Sequence, residues 1–262
     1  MPPAPIAVVL AAGKGTRMGS DLPKVLHEAA GRPLVAWVLD ALAAAGIPDR
    51  IVVVGYGADL VERALAGLPG VSFALQEEQR GTGDAVAAAA DAIRARLAAD
   101  PPSSRRPVVI VCGDSPMLRA ESVRGLLEAW VARGASCLLG SAITADPTGL
   151  GRIVRDASGR FQRIVEQRDA TPAERAIDEV NMSTYVFEAR DLLESLAALR
   201  PDNAAGEFYI TDCPGMLLRA GRDVDAVACL DASETLSVNT PAQLAAVAAA
   251  LQDRAPKGTV GA

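Results

Sequence analysis

Leu10-Ala-Ala-Gly-Lys-Gly-Thr-Arg-Met-Gly-Ser-Asp-Leu-Pro-Lys24 follows the continuously apolar run Ile6–Leu10, and its reading decides that of the rest of the chain. Small residues at 11–13 and 15 let the backbone approach a ligand closely and turn its N–H groups toward anionic oxygens. Lys14, Arg17 and Lys24 bring three cations into the same loop. At about 4 Å and an effective dielectric near 20, each cation–phosphate pair contributes roughly 4 kcal/mol before desolvation. That is enough to hold a polyphosphate on a chain of net charge −6. Two familiar phosphate motifs are excluded. A dinucleotide fingerprint starts at Gly13 and Gly15 but has Met18 where its third glycine belongs, and the Gly-Lys-Ser/Thr ending of a P-loop is absent. A Gly-rich turn with solvated cations is the plainer alternative for the loop taken alone.

Outward from the loop, β-branched runs alternate with Ala/Leu-rich stretches. Ile6–Leu10, Ile51–Val54, Val71–Leu75, Val108–Cys112 and Cys137–Ile143 read as strands, and Leu34–Ala45, Ala58–Ala66, Asp84–Ala98 and Glu121–Arg133 as helices. The first, second and fourth strands are apolar throughout, as in a parallel sheet buried on both faces. Pro33 and Gly46 bracket the first helix. The expected fold class is α/β, a Rossmann-like, doubly wound, mostly parallel sheet. After about residue 145 the pattern changes. Arg152–Arg155 and Arg160–Val165 flank the hairpin signal Asp156-Ala-Ser-Gly159. Thr184–Phe187 and Val224–Leu230 read as strands, and Asp191–Leu199, Ile210–Ala220 and Thr240–Arg254 as helices. A single domain over 1–254 is expected: a nucleotide-binding part to about 145, then a smaller lobe and closing helix over about 146–240. Residues 255–262 read as a frayed tail, and Pro101–Pro107 as a surface loop at a candidate boundary.

Half of the 262 residues are hydrophobic but only 3% are aromatic, so Ala, Val, Leu and Ile build the core. Twenty-six basic against 32 acidic residues argues against a nucleic-acid partner, while a local cation cluster can still oppose the global sign. Cys112, Cys137, Cys213 and Cys229 have no C-x-x-C spacing and read as free thiols of a reducing compartment. The lone histidine, His27, rules out a His-based zinc cluster and argues against a Ser-His-Asp triad. No apolar run reaches the roughly 18–20 residues of a membrane span. Ile6–Ala12 has no basic residue ahead of it and reads as a buried strand rather than a signal peptide. The expected location is the cytoplasm, with no membrane partner.

The loop resembles the Leu-Ala-Ala-Gly-x-Gly-Thr-Arg-Met…Pro-Lys signature of the sugar nucleotidyltransferases. It is especially similar to that of the uridyltransferase (pyrophosphorylase) domain of bacterial bifunctional N-acetylglucosamine-1-phosphate uridyltransferases. Further segments fall in the order of that family: Gln76-Glu-Glu-Gln-Arg-Gly-Thr-Gly83, Gly113-Asp114, Asp146-Pro-Thr-Gly-Leu-Gly-Arg152, Ile164-Val-Glu-Gln-Arg-Asp-Ala170, Val180-Asn181 and Gly206-Glu-Phe-Tyr-Ile-Thr-Asp212. Together they cover about residues 6–245. The resemblance implies an enzyme with Mg²⁺ as cofactor and a nucleoside triphosphate and a sugar 1-phosphate as partners. Its products would be UDP-N-acetylglucosamine, a cell-wall precursor, and pyrophosphate.

By the same resemblance, Leu10, Ala11, Ala12, Gly13, Gln76, Gly81 and Thr82 bind the nucleotide, and an amide at 76 suits an imide edge. Gly151, Glu166 and Asn181 bind the sugar, in the lobe after 146. Asp114, at the carboxyl end of an apolar strand, and Asn239 hold the metal. Arg17 and Lys24 oppose the triphosphate charge and are the expected catalytic pair. Read locally, Gln76 is more readily an exposed polar strand end, and Asn239 equally a helix-cap residue. Three features depart from the family pattern. Cys112 stands where an aromatic residue is common, and Asn181-Met-Ser183 where Asn-Thr-Gly is common, which adds bulk beside the sugar. The sequence also lacks the hexapeptide repeats of the acetyltransferase half, so that as a complete chain it would carry no acetyltransferase activity. The rival readings are the same reaction with another hexose 1-phosphate or dTTP, a catalytically inactive sugar-nucleotide-binding regulatory protein and, last, a dinucleotide-dependent oxidoreductase.

Overall fold

The computed structural model describes residues 3–254, and the tail expected at 255–262 lies outside them. In chain order the elements are β1 (Ile6–Leu10), β2 (Glu28–Ala29), β3 (Arg32–Pro33), α1 (Leu34–Ala44), β4 (Asp49–Val54), α2 (Ala58–Leu65), β5 (Val71–Leu75), α3 (Thr82–Ala88), α4 (Ala90–Leu97) and β6 (Pro107–Cys112). They continue with α5 (Ala120–Arg133), β7 (Cys137–Ile143), β8 (Arg152–Arg155), β9 (Phe161–Val165), α6 (Pro172–Arg175), β10 (Glu179–Glu188), α7 (Ala189–Ala198), α8 (Asp212–Arg219), β11 (Val224–Ala228) and α9 (Pro241–Arg254).

The main sheet runs in the order β11-β7-β10-β6-β1-β4-β5, with the β8–β9 hairpin attached through β10. β1 pairs in parallel with β4 and β6, β4 with β5, and β7 with β11, whereas β10 is antiparallel to both β6 and β7. The chain moves from β1 to β4 and β5 on one side, then crosses to β6 on the other. The carboxyl ends of β1 and β6 therefore flank the point where strand order reverses, which is where open α/β sheets bind ligands. Leu10 lies in register with Cys112, and Gly113 N–H donates to the Leu10 carbonyl at 2.9 Å, so the two following loops leave the sheet side by side.

The unbroken apolar runs of the central strands are explained by helices on both faces. Ile6, Val8, Val108 and Ile110 pack on one face with Val86, Ile93, Leu192 and Leu217, while Ala7, Val9, Val109 and Val111 pack on the other with Leu39, Val61 and Leu126. Each fully buried aliphatic side chain contributes roughly 1.5–3 kcal/mol. A smaller cluster of Met18, Leu34, Met117, Val238, Val247 and Leu251 pins α9 beside the loop after β1.

Three expectations need correction. The single helix over Asp84–Ala98 is two, because Ala89 N–H closes a tighter bond to the Val86 carbonyl at 3.0 Å; no Gly or Pro marks that break. The strand expected at Thr184–Phe187 is the second half of β10. Its first half is polar, and a bulge between Asn181 and Thr184 disrupts the alternation by which a strand is recognised. Pro101–Pro107 is no boundary, since Pro107 begins β6 in the middle of the sheet.

Candidate active site

Asp114 follows β6 and Lys24 closes the loop after β1. Their side chains form an ion pair in which each is 15% exposed. The same Lys24 ammonium donates to Asn239 Oδ1 at 3.1 Å, and Arg17 Nη2 reaches that oxygen at 2.9 Å. Two features deliver these groups. Gly15 takes φ +69°, and a Cβ there would stand 2.6 Å from Lys24 Cβ, so glycine lets the lysine stem pass. Val238 N–H donates to the Asp114 carbonyl at 3.1 Å, which draws the Ser237–Asn239 segment onto the loop after β6. Thr240, not Asn239, caps α9: its Oγ1 accepts from Gln243 N–H at 3.2 Å, leaving the Asn239 amide directed at the cations.

Two cavities adjoin at this cluster. The first, of about 230 Å³, is lined by Leu10, Ala11, Ala12, Gly13, Lys24, Gln76, Gly81, Thr82, Cys112 and Asp114 among others. Gln76 donates from Nε2 to Asp84 Oδ2 at 2.7 Å and to the Gly81 carbonyl at 3.2 Å. Gly81 has φ +118° and lies against residue 208, where a Cβ would come within 2.5 Å of the Phe208 carbonyl oxygen. Phe208 N–H donates to the Arg80 carbonyl at 2.8 Å, Gly83 N–H to the Phe208 carbonyl at 2.7 Å and Ile210 N–H to Thr82 Oγ1 at 3.1 Å. The segment after Gly206 thus forms one wall of the cavity by backbone pairing.

The second cavity, of about 540 Å³, shares Leu10, Thr82, Cys112 and Asp114 with the first and adds Arg17, Gly151, Glu166, Asn181, Ser183, Tyr185 and Asn239. Burial holds the Glu166 carboxyl above the usual range, the charges of Asp169 and Asp212 add to this, and a hydrogen bond with Thr211 opposes it. Asn181 Nδ2 donates to the Tyr185 hydroxyl at 2.7 Å, and Asn181 N–H to the Gly151 carbonyl at 2.8 Å. Ser183, with φ +49° at the β10 bulge, lines the second cavity together with Cys112. The two positions that depart from the family pattern, Ser183 and the Cys112 thiol, therefore share one cavity. Burial, with the Asp114 charge adding to it, pushes that thiol up to about 12.

Each residue assigned above to nucleotide, sugar, metal or catalysis lines one or both cavities. Asp84, Tyr185 and Thr211 also belong to the site, but nothing in their local sequence marks them. Asp84 follows the Gln76–Gly83 segment, Thr211 lies next to last in the Gly206–Asp212 segment, and Tyr185 sits in a strand where it reads as core.

A switch-point crevice, a glycine-lined loop with cations and a carboxylate between two adjoining cavities are parts that a nucleotidyltransferase needs. The chain belongs to the MobA-like NTP transferase domain family, which it matches over residues 7–212. It is 46% identical over 239 residues to the bifunctional protein GlmU of Geobacter metallireducens, covering 91% of this chain and 48% of that one. With the GlmU of Sorangium cellulosum it shares 46% identity over 261 residues, covering 96% and 53%. The chain thus spans about half the length of the curated relatives it matches. In fold it matches a UDP-glucose pyrophosphorylase solved with UDP-glucose, with a TM-score of 0.75 at 14% identity over 95% of this chain and 99% of that one. No helix among the described residues is long and apolar enough to cross a membrane.

Proposed function

We propose that the protein transfers a uridylyl group from UTP to N-acetylglucosamine 1-phosphate, giving UDP-N-acetylglucosamine and pyrophosphate. The observation that carries this reading is the meeting of the two cavities at Leu10, Thr82, Cys112 and Asp114, with Lys24 and Arg17 beside the junction. The resemblance of the Leu10–Lys24, Gln76–Gly83 and Gly206–Asp212 segments to the N-acetylglucosamine-1-phosphate uridyltransferases supports the choice of sugar and base. The first cavity takes the nucleotide and the second the sugar, which brings the phosphate of one onto the α-phosphate of the other.

The sugar phosphate is already an oxyanion. Its oxygen forms the new bond to the α-phosphorus as the bond to the bridging oxygen breaks and pyrophosphate leaves. Arg17 and Lys24 stabilise the charge that builds on the leaving group. Cys112 stays protonated at the junction, its thiol pushed up to about 12, and takes no nucleophilic part. Glu166 accepts hydrogen bonds from sugar hydroxyls. Asp114 and Asn239 offer one carboxylate and one amide oxygen to a common cation, Lys24, and these two hard oxygens are the ones that would hold Mg²⁺. When bound, Mg²⁺ neutralises phosphate charge and orients the phosphates.

Ser183, which adds bulk to the sugar cavity wall, favours a second reading in which another hexose 1-phosphate is used. The test is a pyrophosphate-release assay crossing four nucleoside triphosphates with several sugar 1-phosphates, with and without Mg²⁺. Absence of release from every pair would sink the enzyme reading. Release with glucose 1-phosphate but not its N-acetyl analogue would overturn only the sugar.

A further inference from the structure

Gln76 is only 4% exposed, and both hydrogens of its amide are spent, on Asp84 Oδ2 at 2.7 Å and on the Gly81 carbonyl at 3.2 Å. Turning the amide over would place Oε1 against those same two acceptors and leave both without a donor. The carboxylate makes the donated bond the stronger kind. Asp84 is itself fixed. It stands in the first turn of α3, where a helix favours negative charge, and its other oxygen takes Arg80 Nη2 at 2.8 Å. Gln76 Oε1 accepts from none of the described residues, yet it is not among the atoms sealed off from solvent. It is therefore the end of the amide left for a ligand in the first cavity.

We infer that Asp84 sets the base specificity of this site by holding Gln76 with its carbonyl oxygen toward the base, so that the pocket selects a pyrimidine imide over cytosine. The inference rests on the nucleotide reading of the first cavity given above. In uracil and thymine N3 carries a hydrogen, and Gln76 Oε1 accepts it. In cytosine N3 is a bare lone pair, and two acceptors face one another. A free glutamine would serve both bases by turning over, and Asp84 prevents this. The discrimination thus comes from the penalty on the wrong base as much as from the bond to the right one. Asp84 touches no base in this arrangement; it is a positioning residue.

The test is calorimetric titration of the full chain with UTP, CTP and N3-methyl-UTP in Mg²⁺, with pyrophosphate release followed in parallel, for the wild type, Asp84→Asn and Asp84→Ala. Melting curves check that the variants fold. The wild type is expected to bind UTP at least tenfold more tightly than CTP or N3-methyl-UTP. In both variants the UTP-to-CTP preference falls at least tenfold, and in Asp84→Asn the fall comes mainly from tighter CTP binding. A wild type that binds all three alike overturns the inference, as do folded variants that keep the wild-type ratio. The N3-methyl-UTP result needs no variant. If the wild type discriminates as expected but releases no pyrophosphate with any sugar 1-phosphate, the proposed function fails and this inference stands.

Discussion

Lys24 Nζ donates to Asn239 Oδ1 at 3.1 Å across 215 residues of chain, and the same ammonium is paired with Asp114. Lys24 thus covers both oxygens proposed as metal ligands, and a divalent ion must compete with it until phosphates draw the lysine away. Lys24→Met removes that competitor. The variant without nucleotide should bind Mn²⁺, used as a probe for Mg²⁺, about tenfold more tightly, by the size of a partly screened charge interaction. Its turnover should fall roughly 10²–10³-fold, as when a charge-stabilising group is removed. Manganese titration by electron paramagnetic resonance reads the first effect, and an unchanged metal affinity would remove the competition from the account.

Glu166, proposed to hold the sugar, is kept at a cost in stability. Its carboxyl is held above the usual range chiefly by burial, so ionising it costs more in the folded chain than in the unfolded one. For a carboxylate with a raised value this cost is absent below the unfolded value, near pH 4.3, and complete above the folded one. Glu166→Gln keeps an oxygen for Thr211 and loses the charge. It should melt roughly 2 °C or more above the wild type near pH 8, with the advantage gone near pH 4. The KM for the sugar 1-phosphate should rise about tenfold, since a charged acceptor is lost. Equal melting temperatures at both pH values would show that the carboxylate is not strained.

The sheet was legible because its evidence is local. The runs at Ile6–Leu10 and Val108–Cys112 are apolar at every position, which only burial on both faces explains, and the glycines and cations after Leu10 are contiguous in sequence. What was not legible depends on contacts made by the fold. Asp84 reads as an ordinary acidic residue of a helix's first turn until Gln76 is found beside it. The polar half of β10 has no strand pattern because its bulge serves the cavity rather than the core. Asn239 could be read as a cap or as a ligand, and only the Thr240–Gln243 bond shows which residue does the capping.

Ser183 occupies a conformation that favours glycine, at φ +49°, and is held there by the Asn181 side chain, whose Oδ1 accepts its N–H at 3.3 Å. Such a residue costs about 1 kcal/mol or more in backbone strain. Ser183→Gly relieves this but loses some unfolded-state restriction. It should leave unfolding stability within about 1 kcal/mol of the wild type. Ser183→Val puts a branched side chain at the same φ and should lose about 2 kcal/mol or more. Urea unfolding of both measures the difference. If valine were tolerated as well as glycine, the positive φ would not constrain the bulge.

Gly81 joins the first cavity to the segment that walls it, at a place where a side chain does not fit. Its φ of +118° lies where L side chains are strained, and a Cβ would meet Phe208 backbone atoms at 2.5 and 2.9 Å. Relief would mean separating residues 80–83 from 208–210, and so breaking the Gly83-to-Phe208 bond at 2.7 Å and the Phe208-to-Arg80 bond at 2.8 Å. The Gly81 carbonyl that helps hold Gln76 would move with them. Gly81→Ala should therefore cost about 3 kcal/mol or more, the scale of a strained backbone combined with lost buried bonds. It should also raise the KM for the nucleoside triphosphate, because the Gly81 carbonyl bonded to Gln76 shifts with residue 81. Gly125→Ala, in the middle of α5 with nothing within 4 Å of its added Cβ, is the control and should be neutral or stabilising by up to about 1 kcal/mol. Equal stabilities for the two variants would mean that the close approach of residue 208 does not shape the first cavity.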